Sequence, residues 1–396
     1  MIRKDFKGKS LPLLGMGCMR FPTFADKSID EARTFELIDR CLESGVNYFD
    51  TAHPYHEGNS EVVLGKALAR HSRDSFFLAS KYPGHQISKS YDPAAIFEEQ
   101  LEKCGVDYFD FYLLHNVYEN SLGVYLDPQW GILEYFKAQR DAGRIKHLGF
   151  STHAAAPYME TILDAIGGDM EFCQIQLNYL DWTLQDAQRK CELLVERGLP
   201  IFVMEPVRGG ALASIKSDAQ AKLDALRPKS SAASWAFRFL QDIPGVCLIL
   251  SGMTTMEQLD ENVATFASKD PLSPKERAAL LEVAEGMKDS LPCTACRYCM
   301  DSCPQKLDIP DLLFAYNELR AAPSFFLKMR MEALPKEKQP NACVSCAACV
   351  SMCPQGIDIP KELHNFSAAL SELPSWAAMC KEREDAARKR REDSLG

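Results

Sequence analysis

The chain has 396 residues, 46% of them hydrophobic and 25% charged, with a formal net charge of −10. That length accommodates one barrel-sized domain and a smaller second one, and the composition is that of an ordinary globular chain. The acidic balance and the lack of an extended Lys/Arg block argue against nucleic acid as a partner. With no apolar run of signal-peptide or membrane-spanning length, a cytoplasmic protein with no membrane association is expected.

In chain order, short apolar runs alternate with amphipathic stretches. The predicted strands are Leu13–Gly17, Val46–Asp50, Phe76–Ser80, Phe109–Leu114, His147–Ser151, Phe172–Leu177, Pro200–Met204 and Val246–Leu250. Between them the spacing predicts helices over Ile29–Glu43, Asn59–Arg70, Pro93–Lys103, Ile132–Ala142, Pro157–Ala165 and Gln185–Arg197. Three more follow at Ala219–Leu226, Ala232–Leu240 and Met256–Ala267. Several run into a helix-stopping glycine, as at Gly45, Gly143 and Gly198. Eight strands alternating with helices suit an α/β fold of the (β/α)8 TIM-barrel type. A doubly wound open sheet would want a G-x-G-x-x-G turn. The early Gly15-Met-Gly17 lacks the third glycine and a helix directly after it.

A barrel places its chemistry at the C-terminal ends of the strands. Those ends carry Asp50-Thr-Ala-His-Pro-Tyr55, Ser80-Lys81, His115-Asn116, Ser151-Thr152-His153, Gln176-Leu-Asn178 and Glu205-Pro206. The Asp-Thr-Ala-x-x-Tyr run with Gly58-Asn-Ser-Glu61, the Ser-Lys pair and Leu113-Leu-His115 resemble the aldo-keto reductases over residues 10–268, along with Gly149-Phe-Ser151 and Glu261-Asn262. The resemblance implies a catalytic tetrad of Asp50, Tyr55, Lys81 and His115. The residue types suit carbonyl reduction, which builds negative charge on oxygen and needs a proton donor there. Tyr55 would deliver the proton, Lys81 would ease its loss, Asp50 would hold Lys81, and His115 would orient the carbonyl.

The same resemblance implies nicotinamide contacts at Ser151, Thr152 and Gln174, with Met204 before Glu205 where an aromatic residue often stacks. Gly252, Met253, Gln258 and Asn262 would hold the adenosine. The stretch Ser251–Gln258 contains no Lys or Arg for a 2′-phosphate, so the cofactor is NAD(P)H with NADH and NADPH both open. Of the remaining histidines, His53, His56 and His85 are less specific. His153 is a candidate for lining the substrate pocket, and His364 for a surface helix.

The chain holds 15 cysteines. Seven (Cys18, Cys41, Cys104, Cys173, Cys191, Cys247 and Cys380) are scattered and read as small core residues. The other eight form two C-x2-C-x2-C-x3-C-P runs beginning 50 residues apart, at Cys293 and Cys343, each continuing into Gln-x-(Leu/Ile)-Asp-Ile-Pro. In such runs three thiolates wrap one cubane and the fourth ligates the other. Cys293, Cys296, Cys299 and Cys353 are therefore assigned to one 4Fe–4S cluster, and Cys343, Cys346, Cys349 and Cys303 to a second. The segment resembles bacterial two-cluster ferredoxins over residues 288–365, with an insertion at 311–340. A structural zinc module, which pairs its ligands differently, is the weaker alternative.

The expected organisation is a barrel over 1–285 and a small, mainly α, ferredoxin-like iron–sulfur domain over 286–396. A tail of mixed charge around Arg388–Arg391 ends the chain. The expected function is an NAD(P)H-dependent carbonyl reductase or alcohol dehydrogenase acting on a small molecule, its clusters exchanging electrons with the site or with a redox partner protein. Two alternatives stand beside it: an ordinary reductase with structural or oxygen-sensing clusters, and an electron carrier with a vestigial barrel.

Overall fold

The computed structural model describes the chain apart from residues 27, 87, 289–290, 292, 294–298, 301, 322–323, 354–355 and 395–396, and apart from the side chains of 387 and 389–394. It divides into two compact units, the larger built on Met1–Glu282 and the smaller on Val283–Asp385.

The larger unit opens with a hairpin, β1 (Arg3–Phe6) and β2 (Lys9–Pro12), which the sequence pattern had not marked. Eight parallel strands follow and close into a barrel: β3 (Leu14–Gly17), β4 (Tyr48–Asp50), β5 (Phe77–Tyr82), β6 (Phe109–Leu114), β7 (Ile145–Thr152), β8 (Cys173–Gln176), β9 (Ile201–Met204) and β10 (Val246–Ser251). All eight coincide with predicted strands. The main helices between them are α1 (Glu31–Glu43), α2 (Asn59–Leu68), α3 (Pro93–Cys104), α4 (Leu122–Leu126), α5 (Ile132–Asp141), α6 (Ala156–Ile166), α7 (Asp181–Leu184), α8 (Ala187–Glu196), α9 (Ser217–Asp224), α10 (Ala232–Leu240) and α11 (Met256–Thr265). The glycine stops work as expected. Gly45 and Gly198 take φ of +80° and +67°, the left-handed turn that ends a helix.

Side chains alternate along a strand, so every second residue faces the barrel interior. Tyr48, Ala79, Phe111, Leu113, Phe172, Phe202, Leu248 and Leu250 share one apolar cluster with Phe6 and Leu11 of the hairpin. Phe6 is its centre, with ring centroids 5.4, 5.0 and 5.6 Å from Phe111, His147 and Phe202. The hairpin thus plugs the N-terminal mouth. Counting on by twos, the same faces carry Asp50, Lys81, His115, Ser151, Gln174 and Met204. The interior turns from apolar to polar within one or two strand positions.

The smaller unit is helical. After α12 (Pro274–Met287), which runs into it, come α13 (Ile309–Ala321), α14 (Phe325–Ala333), α15 (Ile359–Ser371) and α16 (Trp376–Ser394). The sequence repeat is visible in the helix starts: Asp-Ile-Pro opens α13 at Ile309 and α15 at Ile359. In α15 the Asp358 carboxylate caps the Lys361 N–H, and proline occupies the first turn where no donor is needed. The core joins Leu307, Leu312, Leu327 and Phe366 to Cys299 and Cys349, with Cys293, Cys303, Cys343 and Cys353 packed against it. A buried Arg330–Glu318 pair, 3.0 Å apart, ties α14 to α13. His364 is exposed on α15, as expected. Of the seven scattered cysteines six are buried and Cys247 is partly so. Among the described residues no helix is long and apolar enough to cross a membrane.

The plug is held by charge as well as by packing. Lys7, at the hairpin turn, pairs with Glu171 at 2.8 Å, and His147 Nδ1 lies 2.9 Å from the same carboxylate. Burial disfavours the charge on Glu171, but the hydrogen bonds from His147 and Lys7 outweigh it and bring its pKa from 4.5 to about 2. A depressed carboxylate pKa adds stability above the ordinary value, and that stability is lost as pH falls toward the folded one. Thermal unfolding followed from pH 7 to 2 is expected to show this loss between about 4.5 and 2. Glu171→Gln should cost about 1.5–3 kcal/mol at pH 7 and flatten that part of the profile.

Candidate active site

The polar end of the barrel interior is organised by one buried ammonium. Lys81, at the end of β5, is 1% exposed. Its Nζ donates to Asp50 Oδ1 at 2.5 Å and to the Thr51 carbonyl at 2.7 Å, and lies 3.4 Å from Tyr55 Oη. All three protons therefore have acceptors. The ammonium also stands 4.8 Å from the Tyr55 ring centroid. Burial pushes the Lys81 pKa down, but Asp50 and Tyr55 more than compensate, and the net direction is up. Asp50 is displaced upward by burial, which Lys81 and the Gln174 amide partly offset.

Tyr55 follows β4 in a tight turn and packs edge-on against His115, with centroids 5.9 Å apart. Its pKa is raised: burial outweighs the pull of Lys81, and Asp50 and Cys18 add to the rise. Lys81 pulls the Tyr55 pKa down, but burial outweighs it and the phenol holds its proton. The four residues Asp50, Tyr55, Lys81 and His115, drawn from three strand ends, thus come together.

Two supports behind this group escape a sequence scan for site residues. On the outer face of β5, Ser80 Oγ and Gln100 Nε2 donate to the fully buried Glu61 at 2.5 and 2.6 Å, while Gln100 also reaches the Lys81 carbonyl at 3.2 Å. Glu61 of α2 and Gln100 of α3 thereby fix the strand that carries Lys81. On the other side, Tyr125 of α4 donates to the His115 carbonyl at 2.7 Å and lies 3.1 Å from that of Tyr82. Its ring sits on Gly84, where a Cβ would stand only 2.7 Å from it. Tyr125 so joins the loops after β5 and β6. His85, next in sequence, is 7% exposed with its ring centroid 4.3 Å from that of His115.

The expected cofactor residues divide into two sets. Gln174 on β8 is buried, and its Oε1 has no hydrogen-bond partner among the described residues. Ser151 Oγ accepts the Asn116 N–H at 2.9 Å. The Thr152 hydroxyl is engaged in the loops, donating to Val117 O and accepting from Ala154 N–H. Met204 ends β9 half-buried, and Glu205 follows at φ +58° with its pKa raised by burial. After β10, Met253 is fully buried, Gln258 accepts the Thr254 N–H at 2.8 Å, and Asn262 donates to Ser251 Oγ at 3.2 Å. These side chains shape the loop rather than project from it. They leave the Gly252 backbone and the N-terminal end of α11 to meet a ligand, a place suited to phosphate. The exposed Arg20, from the loop after β3, runs along Gly252, while Thr254 Oγ1 donates to its carbonyl at 3.0 Å. It is a cation that a search confined to Ser251–Gln258 misses.

At the other end of the expected polar network, His153 Nδ1 lies 3.2 Å from Gln176 Oε1. Gln176 and Asn178 donate to Asp181, which also pairs with Arg208. This buried cluster ties the loops after β7, β8 and β9 together.

In the smaller unit, Cys303, Cys343, Cys346 and Cys349 border one pocket, completed by Leu307, Ile309, Pro360 and Leu363. They are the four thiols that the repeat assigns to the second cluster. Cys349 is buried, and burial pushes its thiol up to about 11. Among the described residues no three His, Cys, Asp or Glu side chains are gathered closely enough to hold a single metal ion. The donor set and the void around it fit a larger sulfur-ligated group. Of the other four thiols, Cys293, Cys299 and Cys353 lie in or against the helical core, and Cys296 lies outside the described residues.

Comparison with known proteins bears on both units. The aldo/keto reductase family model matches residues 13–285, and the model of a 4Fe-4S dicluster domain matches residues 292–357. The chain is 26% identical over 297 residues to the NADH-specific methylglyoxal reductase of Escherichia coli, covering 63% of this chain and 88% of that protein. It is 24% identical over 300 residues to the oxidoreductase YqkF of Bacillus subtilis, covering 67% and 90%. Among solved structures, the holo form of aldo-keto reductase AKR11C1 from Bacillus halodurans superposes with a TM-score of 0.59 at 24% identity, covering 72% of this chain and 96% of that one. With the closed eight-stranded barrel, these matches identify the chain as a member of the aldo/keto reductase family that carries a 4Fe-4S dicluster domain after its barrel.

Proposed function

We propose that the barrel reduces the carbonyl group of a small molecule with a nicotinamide dinucleotide, Tyr55 being the general acid. The observation that carries this reading is the Lys81 ammonium shared between Asp50, Thr51 O and Tyr55 Oη. A bound nicotinamide supplies a hydride to the carbonyl carbon. Tyr55 gives its hydroxyl proton to the carbonyl oxygen, and Lys81 stabilises the phenolate left behind. His115, held through its backbone by Tyr125, hydrogen-bonds the same oxygen and sets its angle. Gln174 Oε1, buried and without a hydrogen-bond partner among the described residues, is an acceptor available to the carboxamide of the nicotinamide.

NADH is the expected dinucleotide. No Lys or Arg lies in Ser251–Gln258, so a 2′-phosphate meets no cation from that loop. Arg20 and the start of α11 remain for the phosphates that NADH and NADPH share. The NADH specificity in the name of the Escherichia coli relative agrees.

In the smaller unit, Cys303, Cys343, Cys346 and Cys349 would hold one 4Fe–4S cluster, and Cys293, Cys296, Cys299 and Cys353 a second. Such clusters pass one electron each, so two of them match a two-electron reduction in total. Exchange with the barrel or with a redox partner protein is the role proposed for them. The reading keeps the sequence expectation of a barrel followed by an iron–sulfur domain from about residue 286.

Tyr55→Phe is expected to lower kcat for aldehyde reduction by about 10²–10⁴-fold with little change in dinucleotide binding; full activity in this variant would exclude the proposed acid. Lys81→Met leaves Asp50 buried and unpaired, so it should cost about 3–5 kcal/mol of stability. Lys81→Met combined with Asp50→Asn should recover most of that loss in a denaturant titration while staying inactive. Protein purified without oxygen should contain about eight irons and matching sulfide. NADH should bleach its visible absorbance if the clusters exchange electrons with the barrel site. Aldehyde reduction without bleaching would assign the clusters a structural or sensing role instead.

A further inference from the structure

His56, the residue after Tyr55, takes no part in the proton transfer, yet its backbone and its ring are both committed. Its φ of +49°, followed by +56° at Glu57, is the left-handed conformation that residues with a large side chain rarely adopt. Such a conformation persists where the surrounding contacts determine it. Here the contacts belong to the loop after β3. His56 Nε2 accepts the Phe21 N–H at 3.2 Å, and the two rings stack with centroids 5.7 Å apart and planes inclined at 16°. The ring also hydrogen-bonds the Met19 backbone. A nitrogen that accepts an N–H is unprotonated, so the ring proton sits on Nδ1 and goes to the Met19 carbonyl. Burial lowers the His56 pKa and favours this neutral form.

Arg20 stands between those two anchors. Its side chain lies along Gly252, where a Cβ would come within 3.1–3.3 Å of Arg20 Cβ, Cγ and Cδ, and its carbonyl accepts from Thr254 Oγ1 at 3.0 Å. The segment Met19–Phe21 is thus gripped from one side by the turn that carries Tyr55 and from the other by the loop after β10. Met19 and Arg20 are exposed. An exposed arginine whose backbone is already fixed has less freedom to lose when it meets a phosphate.

Resting on the nicotinamide-dinucleotide reading above, we infer that His56 is a positioning residue for the dinucleotide, one that fixes the backbone on both sides of Arg20 and so holds its guanidinium for the pyrophosphate beside Gly252. The turn that presents the proton donor therefore also sets the cation for the phosphates. His56 acts through Arg20 and touches neither the ligand nor the reacting atoms.

The test is calorimetric titration of the full chain, purified without oxygen, with NADH or NADPH, whichever the native chain binds, and with ADP-ribose, which keeps the pyrophosphate and lacks the nicotinamide. His56→Phe keeps the stack on Phe21 and removes the acceptor, whereas His56→Gln returns an acceptor near the position of Nε2. His56→Phe should weaken both ligands by the same factor, about 3- to 10-fold, and His56→Gln should regain part of it. In an Arg20→Ala background His56→Phe should have little further effect, because its action passes through Arg20. An unchanged Kd in His56→Phe, a loss on the dinucleotide without one on ADP-ribose, no regain in His56→Gln, or the same factor with and without Arg20 overturns the inference and leaves the reductase reading intact. Binding of neither NADH nor NADPH by the native chain overturns both.

Discussion

The buried pair of Lys81 and Asp50 is the constraint on which this barrel depends. Two opposite charges, at 1% and 3% exposure, are removed from water at the top of an interior whose floor is aromatic. Such a pair adds little net stability over apolar residues of similar size, yet loss of either member leaves a charge stranded. Everything around it serves geometry. Thr51 O takes one proton of the ammonium, Gln174 steadies the carboxylate, and the Glu61–Ser80–Gln100 cluster grips the strand from behind. In the proposed reaction burying the charge places an ammonium at a fixed distance from Tyr55.

The division between floor and site explains how much could be read from the chain alone. The strands, their order and the polar residues at their ends were legible because alternation of apolar and polar residues is local information. Tyr55, Lys81, Asp50 and His115 were named from motifs and do assemble. The hairpin was not legible: Arg3–Phe6 and Lys9–Pro12 are mixed in polarity, and from them Phe6 and Leu11 join the barrel core. Arg20 and Tyr125 were missed for a different reason. Each acts on residues from a distant loop, and no pattern in the neighbouring sequence reports that contact. The loop residues Thr152, Met253 and Gln258 show the converse. Matched by position, they are occupied in holding backbone, so their place in a motif says less about what they touch.

The smaller unit obeys another rule. Six of its cysteines lie in or against its apolar core. Thiols in that position are small, weakly polar fillers until a metal group binds them. With the clusters proposed above, ligation at the pocket lined by Cys303, Cys343, Cys346 and Cys349 would add to the stability of the unit. The repeated Asp-Ile-Pro start fits the same logic. A proline in the first turn of each following helix, Pro310 and Pro360, fixes where that helix begins.

The proton state of Tyr55 follows from the same burial. Burial raises its pKa, and the nearby Asp50 raises it further, against the pull of Lys81. In the reaction proposed for this barrel a protonated phenol is the donor that reduction of a carbonyl requires, and Lys81 works against burial by stabilising the phenolate. A more open site would relieve the charges, admit water, and lower the Tyr55 pKa toward its ordinary value of about 10. Closing the barrel floor with an aromatic plug and roofing the ammonium with Tyr55 are two consequences of one requirement, a dry interior in which a single ammonium controls a single proton.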